Sequence, residues 1–173
     1  MDARRRELLA VRDAIPEEQR RFFSKSICCA IINSSEYKEA KNVMCYMAFG
    51  SEVALDELIH HALKNGKRVL LPICDPASRT MTAHFYNGEL KVGAYGILEP
   101  TGEQGAPDLI ICPMLAFNGQ RHRIGYGAGY YDKFLSKSNA VFFGAAFSVQ
   151  RADFISQSHD VPLHRVYTQE EIY

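Results

Sequence analysis

The chain has 173 residues, 47% of them hydrophobic, enough to bury one substantial core and short for two, so a single domain spanning residues 1–173 is expected. Twenty Lys and Arg balance twenty Asp and Glu, which leaves no field to draw nucleic acid or an anionic membrane surface, and neither partner is expected. No apolar run approaches the ~20 residues of a membrane span and MDARRRELLA lacks the apolar core of a secretory signal, so the expectation is a cytoplasmic monomer that binds small molecules.

From Ala3 to Ile15 leucines, arginines and a glutamate mix without a breaker. Pro16 then opens a second run, with Phe22, Phe23, Ile27, Ala30 and Ile31 at helical spacing, and two helices are predicted. NVMCYMAF (Asn42 to Phe49) is an apolar run suited to a buried strand, after which Ser51 has the chemistry of an N-cap for a helix closing at Gly66. KRVLLPI (Lys67 to Ile73) is a second buried strand, and the strand–helix–strand unit suits a parallel pair with a right-handed crossover. MTAHFY (Met81 to Tyr86) alternates as an edge strand does, while NGELKVGAYGILEPTGEQGAPD is expected to be mostly loop. DLIICP (Asp108 to Pro113) is a third buried strand; a glycine-bearing loop, a helix over Tyr130 to Lys137, the strand VFFGAAF (Val141 to Phe147) and a last strand in HRVYT follow. Alternating strands and helices of this kind imply an α/β fold: an open, mostly parallel sheet with helices on both faces.

Five cysteines, Cys28, Cys29, Cys45, Cys74 and Cys112, include no C-x-x-C pair, and the last three lie in apolar runs where a thiol acts as a small hydrophobe. No disulfide framework is expected, and the histidines form no zinc motif.

The string RIGYGAGYYDKFL (Arg123 to Leu135) sets Gly125, Gly127 and Gly129 at every second position ahead of a helix. Each glycine costs roughly 0.5–1 kcal/mol relative to alanine inside an element, so the backbone there must turn sharply or approach something closely. A glycine-rich loop before a helix suits phosphate oxygens, through backbone N–H groups and the positive end of the helix dipole. A turn needed only for packing is the alternative. The Walker string is absent, and the dinucleotide fingerprint fails because the preceding strand ends well before the loop. Arg123 offers a planar cation for a phosphate and Asp132 a carboxylate for Mg²⁺, the parts that phosphoryl transfer uses. Asp132 also reads as an ordinary helix-start acid.

With PMLAFNGQRH before it, this string resembles the signature of the 5-formyltetrahydrofolate cyclo-ligases, also called methenyltetrahydrofolate synthetases. SEV at Ser51 to Val53, GKRVLLP at Gly66 to Pro72, YGILEP at Tyr95 to Pro100 and SHDVPLHRVYT at Ser158 to Thr168 resemble further family segments in the family's order, so the likeness spans nearly the whole chain. The resemblance implies cyclisation of 5-formyltetrahydrofolate to 5,10-methenyltetrahydrofolate with ATP as co-substrate and Mg²⁺ as cofactor. Its route is phosphorylation of the formyl oxygen, attack by N10 and loss of phosphate, with no enzyme nucleophile.

By the same resemblance Arg123, Ile124, Gly125, Tyr126, Gly127, Ala128, Gly129, Tyr130 and Tyr131 would hold ATP, with Arg123 and Tyr131 catalytic and Arg4 and Arg5 reaching the phosphates from the N-terminal helix. Asp132 and Asp160 would ligate the metal. Met47, Glu52 and Tyr95 would face the folate, and Tyr126, Gly127, Ala128, Gly129 and Tyr130 would touch both ligands. The chain departs from the family at Asn118, where aspartate is usual, at Arg121, where glycine is common, and at Lys133, where arginine is frequent. The register of Arg4, Arg5 and Arg6 is open by one residue. A non-catalytic folate- or nucleotide-binding protein on the same fold is the alternative these departures admit.

Overall fold

Asp2 caps the first helix by accepting the Arg5 N–H, and Pro16, which cannot extend a helical ladder, separates α1 (Ala3–Asp13) from α2 (Glu17–Asn33). A computed structural model describes residues 1–173. After α3 (Ser35–Glu39) the chain forms β1 (Asn42–Met44), α4 (Asp56–Lys64), β2 (Arg68–Asp75) and β3 (Thr80–Phe85). Short elements follow: β4 (Leu90–Val92), β5 (Leu98–Pro100), β6 (Leu109–Cys112), β7 (Ala116–Phe117) and β8 (Arg123–Ile124). Then come α5 (Tyr130–Leu135), β9 (Val141–Ala145) and β10 (Arg165–Tyr167).

The main sheet runs β10-β9-β6-β1-β2-β3, parallel throughout except for β3, which folds back antiparallel on β2. This is the open, mostly parallel α/β sheet expected. Alternate residues of each strand feed opposite faces. Val43, Val69, Leu109, Ile111 and Phe143 pack with Ile27 and Ile31 of α2 and Leu58 of α4, while Met44, Leu70, Ile110, Cys112 and Phe142 pack with Leu135 of α5, Phe117 and Leu163. Every residue of β6 is buried, as a central strand covered on both faces must be.

The order β6-β1-β2 means that the chain leaves β1 toward one edge and later returns through β6 toward the other. Such a switch opens a crevice at the carboxyl ends of the two strands, the usual ligand position in open α/β sheets. Tyr46 to Glu52 leave β1 there, and Pro113 leaves β6.

Several local expectations are corrected. The first strand ends at Met44 instead of running to Phe49; its last ladder bond is Cys45 N–H to the Leu70 carbonyl at 2.9 Å. Ser51 is no N-cap, for α4 starts at Asp56 and the buried Ser51 hydroxyl accepts from Arg12 Nε at 2.9 Å. The helix stops near Gly66 as expected, at φ 74°. The run read as mostly loop pairs β4 with β5 as an antiparallel ribbon, Leu90 opposite Pro100, and the last helix stops at Leu135.

A hairpin, β7 with β8, also lies between β6 and the glycine loop, and two of the three sequence departures, Asn118 and Arg121, sit in its turn. Asn118 Oδ1 accepts the N–H groups of Gln120 and His122 at 3.1 and 3.0 Å, and its Nδ2 donates to the Phe154 carbonyl at 3.1 Å, a bond no ionised aspartate can make. Arg121 occupies the left-handed region at φ 64°, where glycine is unstrained, and Arg121 Nε donates to the Leu163 carbonyl at 3.1 Å. Both residues thus tie the hairpin to the segment that bears Asp160.

Candidate active site

The crevice at the switch is a cleft of about 900 Å³. It gathers every ligand residue expected from the sequence: Arg4 and Arg5 from α1, Met47 and Glu52 after β1, Tyr95 from the β4–β5 ribbon, the whole loop Arg123 to Tyr131, and Asp132 and Asp160. A second groove of about 1020 Å³ between β3 and α5 collects none of them.

In the loop, Gly127 and Gly129 have left-handed backbones, φ 102° and 72°, whereas Gly125 does not. Gly127 is constrained twice, since a Cβ there would stand 3.3 Å from the Arg5 guanidinium carbon. Arg5 Nε donates to the Gly125 carbonyl at 2.9 Å, so the N-terminal helix is laced directly to the glycine loop. Arg4 reaches the opposite rim, donating to the Asp153 carbonyl at 3.2 Å with its guanidinium 5.8 Å from the Phe154 ring centre. Arg6 bonds the Met1 carbonyl and does not line the cleft. Of the three arginines, Arg4 and Arg5 are the ones that line the cleft.

Arg123 is enclosed. Its side chain is 2% exposed; Nη2 pairs with Asp132 Oδ1 at 2.9 Å and Nη1 donates to the Val161 carbonyl at 3.1 Å. What it presents to the cleft is charge more than free donors. Asp132 Oδ1 also accepts the Val161 N–H at 3.3 Å, and Asp160 Oδ2 accepts the Gln157 N–H at 2.8 Å. Each carboxylate keeps one oxygen without a hydrogen bond, on adjoining stretches of the cleft wall. No cluster of three or more His, Cys, Asp or Glu side chains suited to a metal occurs. Two carboxylates are nevertheless a fitting donor set for Mg²⁺, which takes its other ligands from phosphates and water.

At the other end the walls are aromatic. The hydroxyls of Tyr95 and Tyr130 lie 2.9 Å apart with their rings edge to face, and that hydrogen bond is the chief cause holding the Tyr130 phenol up to about 12. Tyr95 itself sits at φ 60° on the ribbon tip. Tyr131 is the opposite case, since its hydroxyl is buried without a partner and burial pushes its pKa well above the ordinary value, leaving a neutral, unclaimed donor within the cleft wall.

Some site residues escape a sequence reading. Buried Glu99 takes the N–H groups of Cys74 and Ala94 on Oε1 at 3.3 and 3.4 Å and fills the space where a Cβ on Gly93 would lie, so it latches the ribbon tip. Phe154 and Ile155 form an apolar rim, with Ile155 97% exposed. Only the absence of a side chain at Gly93 hints at this packing in the sequence.

Burial raises the pKa of Glu52, against the Phe49 N–H, the Arg12 charge and the Tyr126 hydroxyl, which all favour the carboxylate. Since the folded pKa lies above the unfolded one, the folded state binds the proton more readily, and ionised Glu52 lowers stability once pH rises past the unfolded value. Glu52→Gln is therefore expected to melt higher than wild type at neutral pH and to lose that advantage as pH falls through the folded pKa. Thermal melts at several pH values check this; a lower melting temperature at neutral pH contradicts it.

A sequence profile of the 5-formyltetrahydrofolate cyclo-ligase family matches residues 2–169. The chain belongs to that family. Among cyclo-ligase relatives, the 5-formyltetrahydrofolate cyclo-ligase of Haemophilus influenzae is 27% identical over 172 residues, 92% of each chain. The probable 5-formyltetrahydrofolate cyclo-ligase of Schizosaccharomyces pombe is 38% identical over 125 residues, 66% of this chain and 61% of that one. The solution structure of Aquifex aeolicus 5,10-methenyltetrahydrofolate synthetase superimposes with a TM-score of 0.85 at 30% identity, covering 97% of this chain and 89% of that chain. The cyclo-ligase fold is therefore the fold described above.

Proposed function

We propose that this chain catalyses the ATP- and Mg²⁺-dependent cyclisation of 5-formyltetrahydrofolate to 5,10-methenyltetrahydrofolate, with release of ADP and phosphate. The observation that carries the proposal is that one cleft joins two chemistries. Its walls carry cations, a glycine backbone and two carboxylates, each with one oxygen free of hydrogen bonds, and beside them Met47, Tyr95, Tyr130 and Glu52. A phosphate donor and a flat, partly apolar acceptor thus meet in one cavity.

Arg4 and Arg5 draw the polyphosphate to the glycine loop, whose left-handed turns let the backbone approach it closely. Arg123 and Tyr131 act at the transferring group, Arg123 by charge and Tyr131 by donating its unclaimed hydroxyl proton to the oxygen that gains charge. Asp132 and Asp160 would hold Mg²⁺, which when bound neutralises the phosphate oxygens. Met47 and Tyr95 pack on the ring system, and Glu52 accepts its N–H donors. As the formyl oxygen bonds to the γ-phosphorus, ADP leaves. N10 then attacks the formyl carbon, phosphate departs with the oxygen, and N10 loses its proton.

Turnover of 5-formyltetrahydrofolate followed by the methenyl chromophore, with and without MgATP, tests the proposal. Chromophore only with MgATP supports it; tight folate binding without chromophore would make the chain the non-catalytic binder instead. Asp132→Asn is expected to raise the Mg²⁺ concentration for half-maximal turnover by about 10-fold or more, with folate binding unchanged when nucleotide is absent. Normal metal dependence would reduce Asp132 to a helix-start acid.

A further inference from the structure

Arg12 is a charged side chain at 1% exposure, and nothing in the reaction above uses it. Its three nitrogens reach three separate pieces of chain. Nε donates to Ser51 Oγ at 2.9 Å, Nη1 to the Met114 carbonyl at 3.1 Å and Nη2 to the Tyr126 hydroxyl at 2.8 Å. No carboxylate lies within ion-pair distance of it. A negative charge is met one step away, where Ser51 donates to Asp13. Burying a guanidinium without a direct counter-ion is costly, so the arrangement calls for a use.

A tyrosine hydroxyl has one proton to donate. Arg12 Nη2 occupies the acceptor side of the Tyr126 oxygen, while its Nε holds Ser51, the residue directly before Glu52. We propose that Arg12 is a positioning residue: by donating to Ser51 and Tyr126 at once it holds the stretch that bears the folate carboxylate Glu52 in register with the phosphate loop. The inference rests on the role of Glu52 given under Proposed function. It explains why a residue of the N-terminal helix, the loop after β1 and the glycine loop meet at one buried cation. The groups facing Glu52 are Arg12 from α1, Tyr126 from the glycine loop, Tyr46 after β1, Tyr131 from α5 and the Phe49 N–H. Arg12 is the cation among them, and its removal leaves burial opposed only by the Phe49 N–H and the Tyr126 hydroxyl.

The test is calorimetric binding of 5-formyltetrahydrofolate without nucleotide, over a pH series, for wild type, Arg12→Met, Arg12→Lys, Tyr126→Phe and the double variant Arg12→Met with Tyr126→Phe. Loss of a charge-assisted bond predicts affinity about 10-fold weaker in Arg12→Met and in Tyr126→Phe. The double variant should be no weaker than the worse single one, because the two residues act through the one bond between them. Arg12→Lys should recover only part, since an ammonium cannot span three acceptors. In Arg12→Met the acid-side loss of affinity should move to higher pH. Wild type that fails to bind the folate sinks the Glu52 role itself. Wild type that binds beside a folded Arg12→Met of equal affinity and equal pH midpoint, or single-variant losses that add, overturns the inference alone. If Arg12→Met does not fold, Tyr126→Phe decides: unchanged affinity and pH midpoint overturn the positioning role.

Discussion

Arg123→Ala is expected to lower turnover about 10³-fold, the scale on which arginines at a transferring phosphoryl group act. It should also cost about 3 kcal/mol of stability, as breaking a buried ion pair does. Arg123 is the enclosed member, 2% exposed against 24% for Asp132, so its loss leaves the Val161 carbonyl without a donor and Asp132 held only by the Val161 N–H at 3.3 Å. Total stabilities of ~5–15 kcal/mol leave the variant folded in most of its molecules. On the proposed roles, the carboxylate is then no longer aimed at the phosphates, and the charge beside the transferring group is gone. Arg123→Lys keeps the charge but reaches one of the two acceptors, so it should recover more stability than turnover. The measurement is kcat from the methenyl chromophore, corrected for folded fraction by thermal melts. Near-normal kcat would leave Arg123 as a structural tie.

Gly127→Ala and Gly129→Ala are expected to fold cooperatively and to lose most MgATP-dependent turnover. At φ 102° and 72° an added Cβ is strained, a cost of roughly 1 kcal/mol that most molecules survive. The loop must shift to relieve the strain, and misplacing reacting atoms by about 1 Å can lose ~10²-fold in rate. Gly127 should suffer more than Gly129, because its new methyl also displaces the Arg5 guanidinium, whose carbon lies 3.3 Å from the added atom, whereas nothing lies within 4 Å at Gly129. Since Arg5 is proposed to hold the polyphosphate, the two should separate in KM for ATP. Ala128→Gly is the control and should be nearly silent. Normal turnover in both glycine variants, after correction for folded fraction, would make the loop a packing turn.

The sequence by itself determined the layered α/β class, because strands such as Leu109–Cys112 are buried on both faces and so read as unbroken apolar runs. It also marked the glycine loop, since positive φ leaves a trace in residue type: Gly127 and Gly129 carry it, and Gly66 ends α4 the same way. The β4–β5 ribbon and the β7–β8 hairpin were hidden because strands of two or three residues have no period to detect and pair only when distant packing supports them. Ser51 has the composition of a helix cap but serves elsewhere, for its hydroxyl is claimed by Arg12, 39 residues earlier. Arg123 and Asp132 could be read separately as a phosphate cation and a metal carboxylate, yet their pairing with each other and with Val161 exists only once the segment after Asp160 closes over them. Local pattern reports which face of an element meets the core; which polar atoms meet each other across the cleft depends on contacts far apart in the chain, and the tertiary structure alone decided those.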